Sequence, residues 1–239
     1  MALQKGIGEL TPSLSVDLSD LTAHPECYDF FPFRPGLNKL ILYGAADTAH
    51  ISILWYATAS RVGLHYHAMT EAVYVITGQQ RDEQGGYPTG SLYFNPPGSG
   101  HAISESWGFF LLVYAAPPDF ANTGHIQPYS PIQFNAASLG DEVAYPFEAV
   151  RAGVKIYRVP LQPGGGLEAQ LIKSASPDHY HYTGHCLLVL KGNCQINGTS
   201  FEAGMLVVAA SSEARPYAIR AADDGMCLLL GLAFDTYSD

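Results

Sequence analysis

Three histidines and one glutamate have the types and spacing of a metal-ligand set. His65, His67 and Glu71 stand at odd positions in the stretch that opens at Gly63 and closes at Gly78. In an extended chain successive side chains alternate faces, so residues an even number apart share one. His65 and His67 therefore point the same way and Tyr66 the other way, and Glu71 joins them if the strand, or a small bulge, carries on. His101 follows Gly90-Ser-Leu-Tyr-Phe-Asn-Pro-Pro-Gly-Ser-Gly, which reads as a strand and a Pro-Gly turn delivering an imidazole. Three neutral imidazoles and a carboxylate suit one divalent ion, Fe(II) or Zn(II) first and Mn(II), Ni(II) or Cu(II) besides. In an octahedral shell such a set leaves positions open for substrate, water or O2. The competing reading is a polar cluster in a barrel mouth. Its members would have to hydrogen-bond one another, because burying Glu71 without a partner is costly.

These two stretches resemble the paired signature motifs of the cupin superfamily. H-x-H-x3-E-x6-G is matched by His65, His67, Glu71 and Gly78, and G-x5-P-x-G-x2-H by Gly90, Pro96, Gly98 and His101. The wording from Asp82 to Gly90 and from Asn95 to His101 is similar to that of the ChrR-type cupin group. Glu105 stands where many cupins have Asn, at a position that is not a ligand. The resemblance implies a jelly-roll barrel, with His65, His67, Glu71 and His101 as metal ligands.

The elements that must position these residues are strands. The chain has 239 residues, 47% hydrophobic and only 14% charged, which marks a globular protein long enough to bury a real core. Its 24 glycines and 16 prolines, set among many Tyr, Phe and Val, favour strands and tight turns. Strands are expected at Asn38–Tyr43, Ile51–Thr58, Val73–Thr77 and Ser91–Asn95, and at Trp107–Ala115 as a run buried on both faces. No helix of ten residues or more is expected in this half.

The pattern then starts again. Tyr43 and Tyr157, His65 and His179, His67 and His181, Gly78 and Gly192, and Gly90 and Gly204 are all separated by a constant 114 positions. That period suits two copies of one fold rather than a solenoid. The fold expected is all-β, two tandem cupin (jelly-roll β-barrel) domains, the jelly-roll topology being what the resemblance implies. The organisation expected is an N-terminal arm over 1–24, a barrel with the complete motif over 25–118, a linker over 119–139, and a barrel with an altered motif over 140–239.

The second copy departs from the first. Glu71 is matched by His185 and His101 by Arg215, so its candidate metal set is His179, His181 and His185. Arg215 cannot be a ligand, since it stays protonated and repels a cation. Pointing inward it is a candidate site for a carboxylate or phosphate. Tyr56, Tyr74, Tyr93 and Phe94 are candidates for an aromatic wall around the first site, or plain core. His24, His50 and His125 read as loop or surface histidines, and Gly164-Gly165-Gly166 as a flexible turn. Gly98-Ser-Gly is followed by a histidine rather than a helix, so it is not a nucleophile elbow.

The formal net charge of −10 argues against sequence-independent nucleic-acid binding and against anionic membranes. With no secretory signal or bilayer-length apolar run, the chain reads as cytoplasmic, and Cys27, Cys186, Cys194 and Cys227 as reduced, buried thiols. The partner expected is a small-molecule substrate; a homodimer is an open alternative. Three functions follow, the first two from the resemblance. One is a non-haem metal oxygenase that cleaves C–C bonds in a diketone or aryl ketone. Another is a zinc-binding sensor of the ChrR type, though residues 1–24 hold no cysteine for that group's partner-binding zinc domain. The third, which Arg215 favours, is a metal-dependent isomerase or hydrolase of an anionic metabolite.

Overall fold

The computed structural model describes residues 13–210, 214–222 and 225–235. Runs of β-branched and aromatic residues between Gly and Pro turns become strands, and the one α-helix among the described residues is the short Leu18–Ala23. The front barrel is a single sheet. Its strands run in the order Phe31–Arg34, Leu37–Gly44, His50–Tyr66, Gly100–Tyr114, Glu71–Arg81, Leu92–Asn95 and Ile132–Phe134, with Gly86–Pro88 paired to Glu71–Arg81. The second barrel is made of a seven-stranded and a four-stranded sheet. The chain is all-β, two tandem barrels.

Alternation along each strand builds three cores. Val73, Val75, Phe110, Leu112 and Tyr114 fill the front barrel. Their neighbours Ala72, Phe109, Leu111 and Val113 face the other way, into a core shared with Leu188, Leu228, Leu230 and Leu232 of the second barrel. The stretch expected to be buried on both faces is therefore so from Phe109 onward, while Trp107 is half exposed at 49%. Leu187, Val189, Tyr182 and Tyr217 fill the second barrel.

The repeat is visible in backbone geometry. Gly78 and Gly192 have φ of 86° and 72°, and Gly90 and Gly204 have 81° and 92°. A Cβ at Gly78 would run into the Trp107 carbonyl oxygen, and one at Gly192 into that of Met226. Both copies thus need glycine where one strand passes close over the next.

The expected arm contains the strand Leu14–Asp17, which crosses to the second barrel and pairs with Met205–Val208; residues 1–12 lie outside the described part. The expected linker holds the strand Ile132–Phe134, paired with Leu92–Asn95. Three of the four cysteines are buried as expected, but Cys27 is exposed. His50, read as a loop histidine, is wholly buried. It opens an inward-facing strand and is held by Lys39 Nζ at 2.8 Å and the Thr48 carbonyl at 2.8 Å. No helix among the described residues is long and apolar enough to cross a membrane.

Candidate metal centre

His65 ends one long strand and pairs with His101, which begins the strand beside it. His67 lies one step beyond, where the chain leaves the strand. Its N–H bonds to the Ser99 carbonyl at 2.8 Å, and its own carbonyl takes the Gly98 N–H at 2.8 Å. The Pro96-Pro97-Gly98 turn thereby clamps His67 beside His101. A bend at residues 68–69, rather than a bulge, then brings Glu71 in at the start of the next strand.

All four side chains are buried. One nitrogen from each of His65, His67 and His101 lies within 4.8 Å of the other two. Glu71 Oε2 stands 3.4 Å from His67 Nε2 and 3.8 Å from His101 Nε2. The surroundings orient these groups. His65 Nδ1–H donates to the Gly63 carbonyl at 2.9 Å and His101 Nδ1–H to Asp82 Oδ2 at 2.7 Å, which leaves each Nε2 lone pair free. Asn95 Nδ2 donates to Glu71 Oε2 at 2.7 Å. Asp82 Oδ1 also accepts from the N–H groups of Gln84 and Gly85, so its turn is fixed.

Neither ring nitrogen of His67 has a hydrogen-bond partner among the described residues. The polar-cluster reading requires these groups to satisfy one another, and His67 is not satisfied. A buried imidazole left so is costly, and a metal ion is a group that removes the deficit. The three imidazoles form a site able to hold one. Asp82 and Asn95, which the sequence reading missed, supply the outer contacts that metal-binding histidines and carboxylates ordinarily have.

Burial pushes His65 down to about 4, with His67 and His101 adding to the shift, and it pushes His67 down to about 3. Burial also takes His50 down to about 4. Burial works on His101 in the same direction, but the Asp82 hydrogen bond and the Glu71 charge outweigh it, and its pKa is raised. The sign for the metal-free protein follows. Between pH 6.5 and 4 the unfolded chain takes up protons that His50, His65 and His67 refuse in the fold. Stability is present above pH 6.5 and is lost as pH falls, by ~1.4 kcal/mol per unit for each histidine held neutral. His101 offsets part of this. Urea midpoints of chelator-treated protein are expected to fall steadily from about pH 6.5 to about pH 4.5; flat midpoints would contradict the burial of these rings.

Of the four expected wall aromatics, Tyr56 and Tyr93 face the front barrel interior, while Tyr74 and Phe94 face the core between barrels. Tyr93 stacks on Tyr87 at 4.0 Å between centroids and takes a hydrogen bond from Gln80. The cavity over the histidines holds about 30 Å³, space for one or two waters.

The second set is not assembled. His179 and His181 are exposed, and His185 is buried elsewhere. The reason is parity. Tyr182 takes the inward place and stacks on Tyr217 across the strand pair, with 6.3 Å between centroids, so its neighbour His181 points out. His185 sits at a bend, where Nδ1 accepts from the Phe234 N–H at 3.1 Å and the ring packs on Tyr43. Arg215, opposite Gly184, is half-buried at the start of its strand, with its charge felt by the Tyr217 phenol. The only cluster of metal-binding side chains among the described residues is the front one. Elemental analysis of a His179→Ala/His181→Ala double variant is expected to show the same metal content as the parent. A fall by one ion per chain would restore the second site.

Residues 18–117 match the family model described as the ChrR Cupin-like domain. The fold of the rest agrees with known two-barrel structures. Over residues 18–117 the chain is thus similar to the cupin superfamily. The chain is similar to a candidate dioxygenase of Nostoc punctiforme, with 13% identity over 85% of this chain and 75% of that one and a TM-score of 0.58. It is also similar to oxalate decarboxylase of Bacillus subtilis, a structure described for its Mn(II) centres. There the identity is 13%, the coverage 99% and 81%, and the TM-score 0.52. Likeness at such identity concerns the fold. No curated protein matches the chain.

Proposed function

We propose that this chain is a metal-dependent oxygenase of the C–C-cleaving dioxygenase type, acting on a small organic molecule such as a diketone or aryl ketone. His65, His67, Glu71 and His101 would hold one divalent ion in the front barrel, Fe(II) for this chemistry. The observation that carries the reading is the buried His67 imidazole, without a hydrogen bond to either ring nitrogen, facing two oriented imidazoles and a carboxylate. When bound, such an ion supplies a Lewis acid and a centre able to engage O2.

The chain's own part is to keep the site dry and hold its donors still. Leu54, Val73 and Leu112 wall the cavity apolarly. Burial raises the phenols of Tyr56 and Tyr114 well above their ordinary range, so both remain protonated. Tyr56 then offers an O–H to a ketone oxygen, while Tyr114 is engaged with Glu71. The test is anaerobic loading with Fe(II), addition of candidate diketones and aryl ketones, and measurement of O2 uptake. Uptake in stoichiometric proportion to substrate consumed is expected.

The match of residues 18–117 to a ChrR-like domain favours one second reading, a zinc-binding sensor. Tight zinc occupancy with no O2 uptake on any substrate would move the assignment there.

A further inference from the structure

The charges in and around the front cavity do not balance once a divalent ion is present. Glu71 lines the cavity and Asp82 lies behind His101, both buried and both already hydrogen-bonded. Glu83 lies outside them and accepts from the Ala102 N–H. Against the two carboxylates stand the ion, the Lys39 ammonium and the Arg34 guanidinium. Lys39 is sealed: its Nζ lies 4.5 Å from the Phe33 ring centroid and 5.3 Å from that of Tyr114, bonded to His50. The carboxylates offset the ion, and cationic charge remains.

Arg34 is the cation within reach of a guest. It lines the same cavity as His65, Glu71 and His101. Its guanidinium carbon lies 3.7 Å from the Phe120 ring centroid and 5.5 Å from that of Phe33. Phe120 in turn packs on His65 at 5.1 Å. Arg34 forms no ion pair among the described residues, whereas Arg151 and Arg158 are each paired with a carboxylate. Its charge nevertheless reaches inward, opposing the rise that burial imposes on Tyr56 and Tyr114. Arg34 is exposed at the cavity mouth, and a guanidinium packed on an aromatic ring can offer its N–H edge to a planar oxyanion, which it grips with two parallel hydrogen bonds.

We propose that this cavity takes a monoanion, a carboxylate or enolate carried on an apolar body, and that Arg34 holds its charge. This rests on the metal-binding reading above and narrows its substrate class. Of the two leftover cations only Arg34 reaches the cavity, which sets a single negative charge, and the aliphatic walls set the body. Because the closed cavity holds only about 30 Å³, the Arg34–Phe120 stack is the roof that a guest displaces on entry.

The test uses full-length protein loaded with Co(II), whose visible spectrum reports the metal's surroundings, with benzoate and its uncharged counterpart benzamide as probes. Benzoate is expected to perturb the spectrum saturably and to bind at least about tenfold tighter than benzamide. In Arg34→Gln the benzoate affinity is expected to fall by about tenfold or more, with Co(II) stoichiometry and benzamide binding unchanged. Equal binding of the two probes, no binding of benzoate, or unaltered benzoate affinity in the variant overturns the inference while leaving the metal site standing. Failure of the parent to take up Co(II) overturns the metal reading and this inference with it.

Discussion

His67→Leu is expected to abolish metal uptake while leaving the metal-free protein as stable as the parent or more so. The two halves of this result have separate causes. His67 is buried completely, with neither ring nitrogen hydrogen-bonded. An unsatisfied buried polar group costs ~1–3 kcal/mol, and leucine fills similar space without that cost. In the metal-free protein the substitution therefore removes a penalty. In the loaded protein it removes one donor from a set whose other members, His65, His101 and Glu71, surround the gap it leaves. A metal present at a hundredfold excess over its dissociation constant stabilises the fold by ~2.7 kcal/mol. The variant is expected to lose that increment entirely. Thermal melts of parent and variant, each with chelator and with added metal, check both halves. A parent that gains no stability from any divalent ion, or a variant that melts far below the chelated parent, would show His67 to be an ordinary packing residue.

The front site was legible because every feature that fixes it is local. The H-x-H spacing sets a shared face, the Pro-Pro-Gly turn returns the next strand against it, and Gly78 and Gly90 hold conformations that only glycine adopts readily. The same spacing in the second copy misled, because parity states which residues share a face and not which face is inward. Tyr180-His181-Tyr182 alternates as well as His65-Tyr66-His67 does. Burial decides, and the Tyr182 and Tyr217 rings fill the second barrel better than imidazoles would. Contacts distant in sequence left no trace either. Val16 sits opposite Leu206 across the whole chain, and nothing in a short polar N-terminal segment names that partner. Lys39 and His50, on neighbouring strands, look like surface residues until both prove to face the barrel interior.

Asp82 belongs to the same class of contact, and it yields the second large effect. It lies in a turn 19 positions before His101, inside a stretch whose spacing gives no sign of a contact with that histidine. Its Oδ2 accepts the Nδ1–H of His101 at 2.7 Å, and its Oδ1 accepts from the amides of Gln84 and Gly85. A carboxylate can only accept, so it forces the imidazole proton onto Nδ1 and presents Nε2 as the lone-pair donor. Asp82→Asn is nearly isosteric and can keep Oδ1 as the acceptor of the turn. It would then turn an N–H toward His101 Nδ1. The imidazole answers by moving its proton to Nε2, the atom that faces Glu71 and the other histidines. The variant is expected to fold normally and to bind metal ~10–100-fold more weakly, the usual worth of such an outer contact. Metal titration of Asp82→Asn beside Asp82→Glu, which restores an acceptor-only group, measures it. A purely structural role predicts loss of stability with the affinity of the residual folded protein intact. A tautomer-fixing role predicts the reverse, and partial recovery of affinity in Asp82→Glu alone would assign the effect to the proton on His101 rather than to the shape of the turn.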